Sequence, residues 1–302
     1  AFMSTKTVAF FTLGCKLNFS ETSAIAASFT EKGYRVVPFN QEADVYVINT
    51  CTVTSKADRK SRQAIKKTIH RFPDAVVAAV GCYSQLKAEE IAGIQGIDLI
   101  VGENEKFRLV EYIDGLEKRS NPKIIKTEIL KTTEFLPAFS TYGRTRSFLK
   151  VQDGCDYFCA YCTIPYARGK SRNAPAETIF RQAQQIAHNG VQEIVLTGVN
   201  IGDFGKSTNE TFLSLIKKLD KTEKIKRFRI SSIEPDLLHD EIIRFVAKSK
   251  KFAPHFHIPF QSGNNKTLKH MKRRYTCETL ADRIKSILEF MPDAGLDRKS
   301  VV

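Results

Sequence analysis

The sequence predicts an α/β protein in two parts, a parallel sheet followed by a βα repeat that curls into a partial barrel. Three observations carry that prediction. Apolar β-rich runs alternate with helix-period stretches from the start of the chain. The alternation resumes after an aperiodic stretch at 117–144, which reads as a linker. The chain has 302 residues and 42% hydrophobic content, enough to bury two ordinary cores.

Within the N-terminal half a single unit recurs. "TVAFFTLGC" is a strand ending at Cys15, "ADVYVINTC" a second ending at Cys51, and "DAVVAAVGC" a third ending at Cys82. Between them lie helices: "NFSETSAIAASFTEKG" with Ile25 and Phe29 on one face and a closing Gly33, and "SKADRKSRQAIKKTIHRF" with Ala57, Ala64, Ile65 and Ile69 aligned. "IDLIVG" supplies a fourth strand after "AEEIAGIQG". Right-handed crossovers then give a parallel sheet with every strand's carboxyl end on one edge. Three cysteines distant in sequence should meet at that edge, where open α/β sheets build their sites. Any one of them alone would read as a small buried hydrophobe.

In the C-terminal half "RSFLKVQ" leads into "DGCDYFCAYCTIPYARGKSR", "QEIVLTG" follows a helix after Pro175, "KRFRISS" follows "FLSLIKKL", and "PHFHIPF" follows "LLHDEIIRFVAKS". Such a βα repeat places its site at the strand C-terminal ends. Candidates to line it are Gly198, Asn200, Ser231, Ser232, Glu234, Gln261, Ser262 and Gly263, although ordinary loop chemistry accounts for any one of them.

Composition narrows the class. The net charge of +14, from 47 Lys+Arg against 33 Asp+Glu, favours a polyanionic partner such as nucleic acid. Lys56, Arg59, Lys60, Lys66 and Lys67, and the cluster "KHMKRRY", are candidates to neutralise phosphates; a solvated helix face is the plainer alternative. The longest apolar run, "AVVAAVG" at 75–81, falls far short of the roughly 20 residues that span a bilayer, so no membrane is expected and the cytoplasm is the expected location. Seven cysteines without a secretory signal argue against a disulfide framework and for metal or catalytic thiols.

Cys155, Cys159 and Cys162 lie within eight positions. A structural zinc site closes with four ligands, and the nearest other candidates, His188 and Cys277, are remote in sequence. Three soft thiolates with one open position suit an iron–sulfur cubane. The spacing C-x3-C-x2-C, with Tyr161 before the last cysteine, resembles the radical S-adenosylmethionine enzymes. That resemblance implies a [4Fe–4S] cluster whose unique iron binds S-adenosylmethionine, and Tyr161 joins the cofactor-binding candidates.

With "LTGVNIGDFG", "RISSIEPD" and "HFHIPFQSGNNKTLKHMKRRYT" added, the whole chain resembles the methylthiotransferases. The family implies a flavodoxin-like N-terminal domain (3–116), a radical S-adenosylmethionine domain (145–295), and a second [4Fe–4S] cluster on Cys15, Cys51 and Cys82 that carries the sulfur. It implies a tRNA substrate and an electron donor such as flavodoxin or ferredoxin. "TLGCKLNFSET" looks most like the branch acting on N6-threonylcarbamoyladenosine; the branches acting on isopentenyladenosine or on a ribosomal-protein aspartate usually differ just after that cysteine. A zinc- or iron–sulfur-bearing RNA-binding module is the non-enzyme alternative. Relative to the family the chain is expected to be truncated after "SILEFMPDAG": "DRKSVV" can be encoded by a common sequencing-adapter sequence, so residues 296–302 are expected to be a non-native tail.

Overall fold

The computed structural model describes residues 5–116, 118, 121–140 and 145–297. The chain divides into two compact units, residues 1–132 with Tyr166–Arg168, and 133–165 with 169–302.

The first unit is built on β1 (Thr7–Thr12), β2 (Arg35–Val37), β3 (Val45–Thr50), β4 (Val76–Gly81), β5 (Leu99–Val101) and β6 (Lys123–Ile125), in the order β2-β1-β3-β4-β5-β6. Every pairing is parallel. The order 2-1-3-4-5 is that of the flavodoxin-like doubly wound sheet, whose switch point lies between β1 and β3. All six β3 residues are buried, as expected of a strand covered on both faces. Helices α1 (Lys16–Glu31), α2 (Ser55–Arg71), α3 (Cys82–Leu86), α4 (Ala88–Ala92) and α5 (Leu109–Ile113) follow the strands. Ile25 and Phe29 pack with Val45, Val47 and Val80, whereas Ile65 packs with Tyr46, Ile48 and Ala79.

The sheet is wider than the sequence suggests. β2 and β6 are three-residue edge strands, too short to show a period, and β6 lies inside 117–144. The division between units falls after Thr132, so some of the expected linker belongs to the first sheet; residues 117, 119, 120 and 141–144 lie outside the described residues. The buried face of α2 also differs: it is Asp58, Ser61, Ile65 and Thr68, because Asp58 pairs with Lys87 (2.9 Å) and Ser61 hydrogen-bonds the Cys51 backbone.

The second unit carries β7 (Ser147–Lys150), β8 (Glu193–Thr197) and β9 (Arg227–Ile230), paired in parallel in that order. Single parallel bridges, Phe228 to Phe252 and Ser232 to His257, extend the series to β10 (His255–His257), which pairs in parallel with β11 (Gly295–Asp297). This is the run of a partial barrel. Helix α6 (Ile164–Arg168) begins in this unit; α7 (Ala176–His188), α8 (Phe212–Leu219), α9 (Asp240–Lys248), α10 (Asn265–His270) and α11 (Cys277–Phe290) complete it. One apolar core includes Leu149, Ile194, Leu196, Phe228 and Phe256 with Ile179, Leu215, Ile243 and Ile287. Leu296 and Asp297, expected in the tail, are paired residues of β11; residues 298–302 lie outside the described residues. Among the described residues no helix is long and apolar enough to cross a membrane.

Candidate active site

The loop after β7 carries Cys155, Cys159 and Cys162. Its base is closed by reciprocal backbone hydrogen bonds between Asp153 and Arg172, both 2.9 Å. Asp153, 2% exposed, also pairs with Lys150 (2.7 Å) and Arg172 (3.2 Å). Three buried charges therefore clamp the loop's two ends. Gly154 has φ +69°, and a Cβ there would lie 2.0 Å from the Lys170 carbonyl oxygen, so only glycine fits beside Cys155. The Cys155 amide donates to the Gly169 carbonyl (3.0 Å) and the Cys162 amide to that of Cys159 (3.0 Å).

Gln152, fully buried, joins this loop to the one after β8. Its Nε2 donates to the carbonyls of Asp153 (2.9 Å) and Gly154 (2.7 Å) and to Ser171 Oγ (2.9 Å). Its Oε1 accepts from the amides of Val199 (3.0 Å) and Asn200 (2.8 Å). Gly198 is forced by the same contact: a Cβ would meet the Gln152 carbonyl at 2.9 Å. Asn200 is 3% exposed, yet neither its Oδ1 nor its Nδ2 has a hydrogen-bond partner. Ser231 Oγ, at the end of β9, is also buried without one. Orphaned groups at two neighbouring strand ends call for a polar ligand.

Arg273 gathers three of the expected residues. Its Nη1 donates to Cys159 Sγ (3.2 Å) and to Tyr161 Oη (3.4 Å), and its Nη2 is ion-paired with Glu234. Burial pushes the Glu234 carboxyl up to about 7, with Arg273 opposing that rise. The Tyr161 ring is half exposed. The Gln261 backbone amide donates to Tyr275 Oη (3.3 Å), and the Arg273 guanidinium lies over that tyrosine's ring at 5.2 Å. Arg273 and Arg274 were expected among phosphate-binding cations, but the Arg273 side chain is 5% exposed and Arg274 stacks over Tyr157 at 4.1 Å while bonding the Asp156 carbonyl. Both brace the cysteine loop; Arg273 is withdrawn from solvent by this, whereas Arg274 stays exposed.

In the first unit Cys15 caps the start of α1 after β1, Cys51 follows β3 and Cys82 opens α3 after β4, flanking the switch point. Gly14 has φ +99°, and a Cβ there would stand 2.9 Å from Cys51 Cβ and 3.0 Å from its Sγ, so the Cys15 loop packs on the Cys51 side chain. Buried Asn18 ties the strand ends, donating to the carbonyls of Leu13 (2.8 Å) and Thr50 (3.1 Å). Its Oδ1 accepts from Arg168 Nη2 (2.6 Å). Arg168 and Lys106, both buried, share Glu21 and Glu103.

All seven cysteines are free thiols; Cys277 stands apart, against the Ser262 carbonyl (3.9 Å). Burial pushes the Cys155 thiol up to about 12 and raises Cys162, Cys51 and, well above the ordinary value, Cys82. Among the described residues no three potential ligands are already closed to metal-binding geometry. The donor chemistry nevertheless fits clusters: each unit presents three uncrosslinked thiols on loops at one sheet edge, and the second adds the orphaned Asn200 and Ser231. Metal binding would displace the protons that burial retains.

Comparison with known proteins follows that division. Residues 7–102 match the Uncharacterized protein family UPF0004, and residues 149–300 match the Radical SAM superfamily. The chain is 43% identical to threonylcarbamoyladenosine tRNA methylthiotransferase MtaB of Bacillus subtilis (strain 168), over 98% of this chain and 66% of that protein. It is 40% identical to MtaB of Aquifex aeolicus (strain VF5), over 98% and 72%. It belongs to the MtaB family of radical S-adenosylmethionine methylthiotransferases. The chain spans about two thirds of the length of these curated relatives. A tRNA-2-methylthio-N(6)-dimethylallyladenosine synthase of Syntrophus aciditrophicus (strain SB) is 29% identical, over 96% and 65%. Among solved structures, the radical S-adenosylmethionine methyltransferase TsrM of Kitasatospora setae, with cobalamin and a [4Fe-4S] cluster bound, shares the fold at TM-score 0.62 and 13% identity, over 97% of this chain and 66% of that one.

Sequence reasoning missed Gln152, Asn18 and Arg168, and gave Arg273 a phosphate-binding role in place of its contact with Cys159. Gln152 left one signal, a lone amide just past an apolar strand in "FLKVQDGC".

Proposed function

We propose that this MtaB-family protein inserts a methylthio group at C2 of N6-threonylcarbamoyladenosine next to the tRNA anticodon. The observation that carries the reading is the pair of cysteine trios, one at the carboxyl edge of each sheet, in a chain 43% identical to a relative named for that modification. When bound, a [4Fe–4S] cluster on Cys155, Cys159 and Cys162 supplies the electron that cleaves S-adenosylmethionine, and a second on Cys15, Cys51 and Cys82 supplies sulfur. Gln152 fixes the cysteine loop against the Gly198–Asn200 loop. Asn200 and Ser231 offer hydrogen bonds to a polar ligand at the strand ends. Arg273 keeps a cation beside Cys159 and pairs with Glu234. A low-potential carrier such as flavodoxin or ferredoxin provides the electron, and the cytoplasm is where tRNA and that carrier meet. Nucleoside mass spectrometry on tRNA bearing threonylcarbamoyladenosine and on tRNA bearing isopentenyladenosine tests the substrate. A methylthio product on the first alone is expected; a product on the second alone, or on neither, contradicts the reading.

A further inference from the structure

The outer face of α2 is occupied by cations. Lys56, Arg59, Lys60, Lys66, Lys67 and Arg71 are all exposed, and at 3.6 residues per turn they share one arc with Gln63 and His70 and no carboxylate. The acidic residue of the helix, Asp58, is buried on the opposite face and paired with Lys87. Among the described residues Lys56, Arg59, Lys60, Lys66 and Lys67 enter no ion pair; Arg62, on the flank, takes Glu90. Like charges at Lys56/Arg59, Lys56/Lys60 and Lys67/Arg71 stand three or four residues apart, a spacing that disfavours the helix unless a polyanion neutralises it. The row runs about 22 Å from Lys56 to Arg71, at 1.5 Å per residue.

An aromatic notch opens beside the C-terminal half of this row. Phe11, Phe39, Asn40, Lys67, Arg71 and Phe72 are among the residues lining a cavity of about 230 Å³, below the roughly 300 Å³ at which ordinary small-molecule pockets begin. Phe11 is 36% exposed at the rim, and its ring lies 5.0 Å from that of Phe39, tilted by 32°. Arg71 stacks on Phe72 at 5.1 Å and anchors to the Asn40 carbonyl (3.0 Å). An apolar slot rimmed by Lys67 and Arg71 suits a base with its phosphate, since stacking on aromatic faces beside a basic track is how single-stranded nucleic acid is bound.

We propose that the cationic face of α2 and the Phe11–Phe39–Phe72 notch form an RNA-binding surface of the first unit, with phosphates along Lys56, Arg59, Lys60, Lys66 and Lys67 and one unpaired base against Phe11. The surface rests on the tRNA reading above and extends it to a contact outside the cysteine sites.

The test measures binding of the full-length protein to fluorescently labelled tRNA, and to an unrelated single-stranded RNA, across a salt series. For K56Q/R59Q/K60Q/K66Q/K67Q, the slope of log affinity against log salt should flatten by about 0.7–0.9 for each cation that neutralises a phosphate, about 3.5–4.5 if all five do so. Phe11→Ala should weaken binding roughly 5- to 150-fold without changing the slope, and Phe11→Leu, which keeps the rim packed, should weaken it too. Circular dichroism checks that each variant is folded. A slope change below about one unit, or full affinity in Phe11→Leu, overturns the proposal. Nucleoside analysis of the same wild-type samples separates the two claims: methylthiolated tRNA with salt slopes unchanged by the variants removes only the surface. RNA binding abolished in the variants, with no product on threonylcarbamoyladenosine, removes only the substrate. A wild-type protein that binds neither RNA overturns both.

Discussion

Replacing Lys106 by Met tests whether the buried charge network beside the first cysteine trio is structural. Lys106 is fully buried and pairs with Glu21 (2.6 Å) and Glu103; Arg168, 1% exposed, reaches the same carboxylates at 2.9 and 3.0 Å. Two cations thus face two carboxylates with almost no access to water. Lys106→Met leaves Glu21 and Glu103 to share Arg168 alone, and removing one partner from a buried pair costs about 3–5 kcal/mol. Urea unfolding at neutral pH, followed by circular dichroism, reads this as a lower midpoint. Adding Glu103→Gln neutralises the surplus carboxylate and should recover more than half of the loss. A cost below about 1 kcal/mol, the worth of an exposed pair, or no recovery in the double variant, would show that Lys106 does not hold these carboxylates as a buried structural partner.

Gly154→Ala forces φ +69° on alanine and places its Cβ 2.0 Å from the Lys170 oxygen. Backbone strain alone costs about 1–3 kcal/mol, and iron content at the Cys155 loop should drop by at least half; retention of full iron would show that the loop can shift. Cys159→Ala should abolish deoxyadenosine release, while Cys51→Ala should leave release largely intact and stop methylthio insertion; equal loss of release in both variants contradicts the division of labour. Arg273→Gln removes the cation 3.2 Å from Cys159 Sγ, so the potential of the cluster proposed there should become more negative than in Arg273→Lys. Identical potentials in a redox titration would show that the guanidinium does not act on that thiol.

The sheet edge that gathers Cys15, Cys51 and Cys82 was legible because it follows from periodicity alone: strand and helix alternate, crossovers are right-handed, and each cysteine ends an apolar run. The C-x3-C-x2-C loop was legible from spacing. Edge strands β2 and β6 were not, since three residues carry no measurable alternation. Lys106 in "GENEKFRLV" and Glu21 in "NFSETS" look like solvated surface residues; only the packing of α1 against the segment at 103–106 makes them partners. Arg273 misled for the opposite reason. A basic run looks like a phosphate site until the fold turns one guanidinium into a buried thiol's neighbour, which no local pattern reports. On α2 the exposed cations were legible from the helical period, but the polar buried face was not, because Asp58 and Ser61 find their partners, Lys87 and the Cys51 backbone, outside the helix.

Each unit is proposed to hold its own cluster. Iron and acid-labile sulfide per chain after anaerobic reconstitution test it most directly, in the wild-type protein and in two triple variants, one with Cys15, Cys51 and Cys82 changed to Ala and one with Cys155, Cys159 and Cys162 changed to Ala. About eight irons are expected in the wild type and about four in each variant if each trio holds one four-iron cubane, as proposed. About four irons in the wild type, zinc in place of iron, or a triple variant that keeps the full complement would contradict it.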